Sequence, residues 1–178
     1  MNPKVLAAAI ALVSNYSAFS PADVENFLGG FIFGLIQKDD LSQIQKCLSD
    51  AGGLEKEIEE AFTDFAKGDV ADIMAGITLV GKIIQELPAD LQDCQGMQGD
   101  IDRIEKWAAI FSDPSALVKV VTTNVIKNFS ALSKDVTQTM SDVGAGKMYN
   151  AGEDIADIMV LTVGAVPAGP EDLTITQW

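Results

Sequence analysis

Residues 68–87 read GDVADIMAGITLVGKIIQEL, and this stretch decides the fold class. Leu79 and Ile83 add apolar side chains beside its main apolar face, while Gly76 and Gly81 leave room for neighbouring backbones. Because a helix that is apolar over most of its circumference lies inside a bundle, the stretch predicts a central helix. The residues of the main face recur at steps of three and four, the helical period: Val70, Ile73, Met74, Ile77, Val80, Ile84 and Leu87.

The composition predicts one folded, acidic domain. A chain of 178 residues suffices for one domain with a core, and 48% hydrophobic residues argue against disorder. Lys and Arg number 12 against 26 Asp and Glu, which gives a formal net charge of -14. We therefore expect no strongly basic face and no nucleic-acid partner. The same charge disfavours an anionic membrane surface and favours solubility.

The chain contains no histidine. It therefore lacks the commonest general base, the usual zinc ligand and the Ser-His and Cys-His nucleophile pairs. The remaining acid–base candidates are Asp69 with Asp72 and Asp154 with Asp157, each pair spaced i, i+3. We place all four in the first turns of their helices, where the helix dipole already favours acids. We predict no catalytic residues, no metal and no cofactor.

Cysteines and sequons indicate a secretory protein. Cys47 and Cys94 are too few for a zinc site, and their even number favours a disulfide. That bridge would close a loop of about 48 residues and stabilise the fold by about 4 kcal/mol in the chain-entropy model. Two free buried thiols are the alternative. Asn15 and Asn128 each begin an N-x-S sequon and are candidate glycosylation sites.

The chain divides into three segments. Residues 1–20 have the charged start, the apolar run and the small-residue end of a signal peptide, and the run is too short to span a bilayer. We therefore predict a secreted protein, extracellular or in the secretory lumen, whose helical domain covers residues 21–164. Residues 165–178 hold Pro and Gly and form an extended or mobile tail. Three of its residues could pin it to the body: Leu173, Ile175 and Trp178.

Caps and breakers predict an all-α, single-domain bundle of about seven to eight helices around residues 68–87. Gly30 and Gly34 lie one turn apart on the first helix and predict close approach of another helix; a membrane dimer motif is the alternative, but the segment is too short for one. Eight helices are predicted: one from Pro21, three over 39–51, 54–66 and 68–87, a short one from Pro88, one over 100–111, a long one from Pro114, and one over 148–163. Gly52-Gly53 stops the second helix. Phe129 lies either on the buried face of the long helix or at a break in it.

Three local patterns resemble a family of uncharacterised secreted helical proteins from ciliates. They are FLGGFIFGLI at 27–36, the single cysteines in KCLSDAGG at 46–53 and LPADLQDCQG at 87–96, and MYNAGEDIADIM at 148–159. The resemblance covers residues 24–164. It implies secretion, an all-helical fold and one disulfide, and it brings no catalytic residues with it.

The expected function is non-enzymatic. Some apolar residues extend beyond single helix faces, and subunit contacts would cover them, so we expect a homo-oligomer or polymer within an extracellular assembly. The alternative is a carrier that holds a lipid or another apolar small molecule between helices. A membrane-associated hairpin of residues 3–36 is a third reading. The candidate interface or apolar-pocket residues are Phe31, Phe33, Ile36, Leu79 and Ile83.

Overall fold

The computed structural model describes residues 19–48 and 51–169, with backbone alone at 51 and 52. Across these residues the chain is helical and contains no strand, so the predicted all-α fold is confirmed. A 3₁₀ turn, Ala109–Ser112, joins the fifth helix to the sixth. The helices are α1 Pro21–Ile36, α2 Leu41–Cys47, α3 Ala51–Lys67, α4 Val70–Asp90, α5 Gln98–Ala108, α6 Pro114–Gly144 and α7 Met148–Val163.

Short polar residues and one glycine set several helix ends. The Ser20 hydroxyl accepts a hydrogen bond from the Asp23 N–H, and the Asp23 carboxylate accepts one from the Ser20 N–H, which forms a capping box before α1. Asp113 caps α6 by accepting from the N–H groups of residues 115 and 116. Gly68 follows α3 with a φ of 75°, a left-handed conformation that glycine adopts without strain.

Two predicted breaks lie inside helices instead. α4 continues through Pro88 to Asp90, where we expected a new helix. Pro88 lies in the last turn, so it removes a single backbone hydrogen bond, and burial of Leu87 and Leu91 on either side holds the turn in place. α3 begins at Ala51, so the glycine pair lies in its first turn. Glycine disfavours a helix by only about 1 kcal/mol per residue, which burial further along α3 outweighs.

The helices form two close pairs that the long α6 connects. α1 packs mainly on α7, and α3 packs mainly on α4. α6 runs along α7 and also contacts α3 and α4. α2 rests on α1, and α5 rests on α4. All of these helices contribute to one continuous apolar core.

Small residues bring α1 and α7 into backbone contact. A Cβ atom at Gly30 would overlap the carbonyl oxygen of Tyr149, and one at Gly152 would overlap the backbone of α1. Gly34 lies against Ala156. Each helix therefore contributes two small residues one turn apart, the arrangement that permits the closest helix packing. The close approach predicted for α1 is confirmed, and its partner is the helix of the 148–159 pattern.

Large side chains hold α3 and α4 together. The Phe65 ring lies directly over Gly76, which leaves the room for it. Phe62, also on α3, is buried and packs on α1 instead, where it meets the ring of Phe27 edge to face with ring centroids 5.5 Å apart. Ile77 of α4 is also fully enclosed. The contact between α3 and α4 therefore depends on a large side chain, whereas the contact between α1 and α7 depends on the small size of glycine.

A disulfide and a charge cluster join the two pairs at one end of the bundle. Cys47 at the end of α2 is bonded to Cys94 in the turn after α4, with a Cα separation of 5.2 Å, and this confirms the predicted bridge. Beside it, Lys38 forms ion pairs with the buried Asp100 of α5 and with Asp40. Burial raises the pKa of Asp40, and the Lys38 ammonium acts against that rise. The cluster fastens the segment after α1 to α5.

Candidate functional site

Four large apolar side chains are exposed among residues 19–48 and 53–169. Val70 is 36% exposed, and Val118, Ile126 and Phe129 are 53%, 66% and 38% exposed. The last three lie on one side of α6, because they are spaced eight and three residues apart. Val70 begins α4 beside them, and a groove of about 430 Å³ opens between Val70 and Phe129. The molecule therefore presents one apolar surface along α6.

This surface also carries charge, with lysines in the majority. Lys119, Lys127 and Lys134 are exposed on α6 next to its apolar residues. Lys134 lines the groove, and so does the exposed Asp69. The acids within α6, Asp135 and Asp142, are partly or fully buried instead. We call the four apolar residues and these three lysines the α6 surface. On a chain with a net charge of -14, it has three exposed lysines against the one acid of the groove.

The sequence named a different set of candidate interface or apolar-pocket residues. Phe31, Ile36 and Ile83 are buried within the core of a single copy, and Leu79 is partly buried against it. Phe33 is partly buried and contacts the ring of Tyr149, with centroids 6.3 Å apart. In this conformation, the three buried side chains cannot face a partner subunit.

A small apolar cavity lies between α1, α4 and α5. Ile32, Ile84 and Ile104 are among the residues that line it, and its volume is about 10 Å³. A single water molecule needs about 10–15 Å³ on the same measure, and drug-sized ligands occupy pockets of about 300–1,000 Å³. This cavity therefore cannot hold a lipid.

The two predicted carboxylate pairs have different environments. Asp69 does cap α4, where its Oδ1 accepts from the N–H of Asp72 at 2.9 Å, and this hydrogen bond lowers the pKa of Asp69. Asp154, however, lies beyond the first turn of α7, which begins at Met148. The helix dipole therefore does not account for it, and this part of the expectation is wrong.

Asp154 is the centre of an acidic cluster between α6 and α7. Its Oδ2 is buried and has no hydrogen-bond partner among the described residues. Burial raises the pKa of Asp154 to about 7, and the carboxylates of Asp142 and Asp135 on α6 add to the rise. Burial also raises the pKa of Asp135 and of Glu153. No group of acids in the described part of the chain has the geometry of a metal site. Because the pKa values of Asp154, Asp135 and Glu153 are raised, the folded chain holds protons on this cluster at a higher pH than free carboxylates do.

The two sequons differ in what the structure describes. Asn15 lies outside the described residues. Asn128 lies within α6, and its Nδ2, the atom that would carry a glycan, donates to the carbonyl oxygen of Leu161 at 3.3 Å. Asn124 donates to Thr162 in the same way at 2.9 Å. These two amides satisfy carbonyl groups in the last turn of α7, where no intrahelical donor follows.

The fold and these surfaces define a class: a disulfide-linked helical bundle. None of its helices, over the residues described, is long and apolar enough to cross a membrane. The sequence model of the SctB-like family, described as Secreted protein B-like, matches residues 9–163. The chain therefore belongs to the SctB-like family of secreted proteins. No curated protein and no solved structure matches the chain. The resemblance is thus confirmed as one to a secreted-protein family, and its ciliate origin stays a prediction.

Proposed function

We propose that this chain is a secreted, non-enzymatic protein that self-associates and forms part of an extracellular assembly. One observation carries the proposal: of the exposed large apolar side chains among the described residues, Val70 and Phe129 line one groove, and Ile126 lies one turn from Phe129 on the same side of α6. Exposed apolar residues are ordinary when scattered, but a contiguous group marks an interaction site. A second copy of the chain is the partner that is always present where the protein is secreted.

Other observations support this proposal over the carrier alternative. The cavity of about 10 Å³ is too small for an apolar ligand, and the residues around it belong to one continuous apolar core. The α6 groove, at about 430 Å³, has the volume of a small-molecule pocket, but it is open to solvent and would leave a lipid chain exposed to water.

The absence of histidine supports a non-enzymatic role, because it removes the commonest general base.

Sedimentation velocity over a concentration series tests the proposal. We expect the average mass of the wild-type chain to rise with concentration. In the double variant Ile126→Ser, Phe129→Ser, which removes apolar area from the α6 surface, we expect association to weaken at least tenfold. The matched control is Ala109→Ser in the exposed 3₁₀ turn, which should behave as wild type. A wild-type chain that stays strictly monomeric at its solubility limit would refute self-association.

A further inference from the structure

The chemistry of the α6 surface restricts what can cover it in a second copy. A two-fold contact between two α6 surfaces would bring both sets of three lysines into one interface, where like charges repel. A fitting partner segment is apolar and acidic. Over residues 19–48 and 53–169, the large apolar side chains that are exposed all belong to the α6 surface itself. The described residues therefore offer no second group of strongly exposed large apolar side chains that could cover it.

One undescribed segment has the required composition. Residues 170–178 read PEDLTITQW, with two acids, Glu171 and Asp172, and no Lys or Arg. Its apolar side chains are Leu173, Ile175 and Trp178. Residues 1–18 are apolar but contain Lys4 and no acid, so they do not complement a basic surface.

We infer that residues 170–178 of one copy bind to the α6 surface of another copy. The acids would face Lys127 and Lys134, and apolar side chains would enter the groove between Val70 and Phe129, which Asp69 and Lys134 also line. This inference rests on the proposed self-association and adds the identity of the contact. Ion pairs at the rim of such a contact determine orientation and association rate, while the buried aromatic and aliphatic groups supply most of the affinity.

The position of the tail favours binding between copies over binding within one. Residues 164–169 are held on α5: the Trp107 Nε1 donates to the Gly164 carbonyl oxygen at 2.9 Å, and the Arg103 Nη2 donates to that of Pro167 at 3.0 Å. α5 packs on the end of α4 around Leu87, whereas the groove lies at Val70.

The distance between these two points is large for the length of the tail. A helix rises 1.5 Å per residue, so Leu87 and Val70 are about 25 Å apart along α4. Nine extended residues span about 30 Å at most. A tail that reached its own groove would be stretched almost fully and would have little length left to lie in it. The groove of another copy imposes no such limit.

A contact between the tail of one copy and the groove of the next is heterologous. A copy that binds through its tail keeps a free groove, and a copy that binds through its groove keeps a free tail. Association therefore continues, either until a ring closes or as an open chain that keeps growing. This mode of assembly predicts polymers instead of simple dimers.

Mixing two full-length variants tests the inference. The tail variant, Ile175→Ser with Trp178→Ser, keeps an intact α6 surface, and the surface variant, Lys127→Glu with Lys134→Glu, keeps an intact tail. We expect each variant alone to associate at least tenfold more weakly than wild type. An equimolar mixture should form a one-to-one dimer that grows no further. The intact tail of the surface variant binds the intact groove of the tail variant, and the dimer then has no intact tail or groove left. The control variant Lys46→Glu, Lys106→Glu reverses two exposed lysines outside the α6 surface and should still polymerise.

The outcomes separate the two proposals. If wild type associates and the tail variant associates equally well, the tail inference is wrong while self-association stands. If the mixture stays monomeric or grows beyond the dimer, the tail-to-groove contact is wrong as well. If wild type itself does not associate, the proposed function fails first. Far-ultraviolet circular dichroism of each variant, with helicity equal to wild type, excludes misfolding as the cause of lost association.

Discussion

The two helix pairs of this bundle reach tight packing by opposite routes. α1 and α7 meet where side chains are missing, at Gly30 and Gly152, whereas α3 and α4 meet where the ring of Phe65 covers Gly76. The first contact gains close backbone approach and dispersion. The second gains burial of a large apolar area. The first contact is therefore sensitive to added atoms, and the second is sensitive to removed atoms.

The largest effect is expected from truncation of a buried ring on α3. Phe62→Ala removes a buried ring that contacts Phe27 and Phe19, and we expect a loss of about 3–5 kcal/mol in the free energy of unfolding. Urea denaturation measures it. Phe129→Ala is the matched control, because its ring is 38% exposed, and it should cost under about 1 kcal/mol. Equal losses in both variants would contradict the assigned burial.

Addition of one methyl group should break the first pair nearly as strongly. Gly30→Ala forces a Cβ into the Tyr149 carbonyl oxygen, so α1 and α7 must separate, and we expect a loss of about 3 kcal/mol. The same substitution at Gly99, in α5, meets no atom within 4 Å. There it should stabilise by up to about 1 kcal/mol. Thermal unfolding of the two variants side by side gives the comparison, and a neutral Gly30→Ala would show that the pair is not tightly packed.

The disulfide tests how strongly the two pairs depend on each other. Cys47 belongs to α2, which rests on α1, and Cys94 follows α4. Replacement of both by serine should cost about 2–4 kcal/mol, because the unfolded chain regains the freedom of the closed loop. Guanidinium unfolding with two probes, one in each pair, measures this. Two separate transitions in the variant, against one in wild type, would show that the bridge makes unfolding cooperative; no change in stability would contradict the loop-closure account.

The smallest expected effect concerns pH at the α6–α7 contact. Burial, with the neighbouring acids of α6, raises the pKa of Asp154 in the folded chain from its ordinary value of 3.8 to about 7. Between these pH values the folded state therefore binds a proton that the unfolded state lacks. Its contribution to stability is therefore greatest at low pH and is lost as the pH rises to 7. Asp154→Asn should raise the melting temperature at pH 8, by about 2–4 °C per kcal/mol of repulsion removed, and should change it less at pH 5.

A control variant separates this effect from the general acidity of the chain. Asp102→Asn removes one charge from an exposed position on α5 and should raise the melting temperature at pH 8 much less. If both variants shift it equally, net charge is the cause instead of the Asp154 site.

Much of the fold could be predicted from periodicity and capping residues. The central helix, the capping box at Ser20, the stop at Gly68 and the cysteine pair all follow from local rules of spacing and conformation. Pro88 was misjudged, because the local rule for proline does not include the burial of the residues around it. The glycine pair in the first turn of α3 was misjudged for the same reason.

The candidate surface was harder to predict, because periodicity does not show which helix covers a given face. Phe129 fits the buried spacing of α6 but is exposed, since α4 begins at Val70 and only partly covers that side. Phe31 and Ile83 lie off their main faces but are covered by neighbouring helices. Similarly, the two i, i+3 acid pairs differ: Asp69 lies at a helix start, whereas Asp154 lies against the acids of α6. Tertiary packing gives identical residues different roles.

The attachment of residues 164–169 to α5 has a mechanical consequence. Tension applied through residue 170 would first reach the bonds from Arg103 and Trp107, before it could unravel the end of α7. Asn124 and Asn128 secure that end in turn by their bonds to its last carbonyl groups. In a strand of linked copies, these hydrogen bonds would set the load at which the first subunit yields.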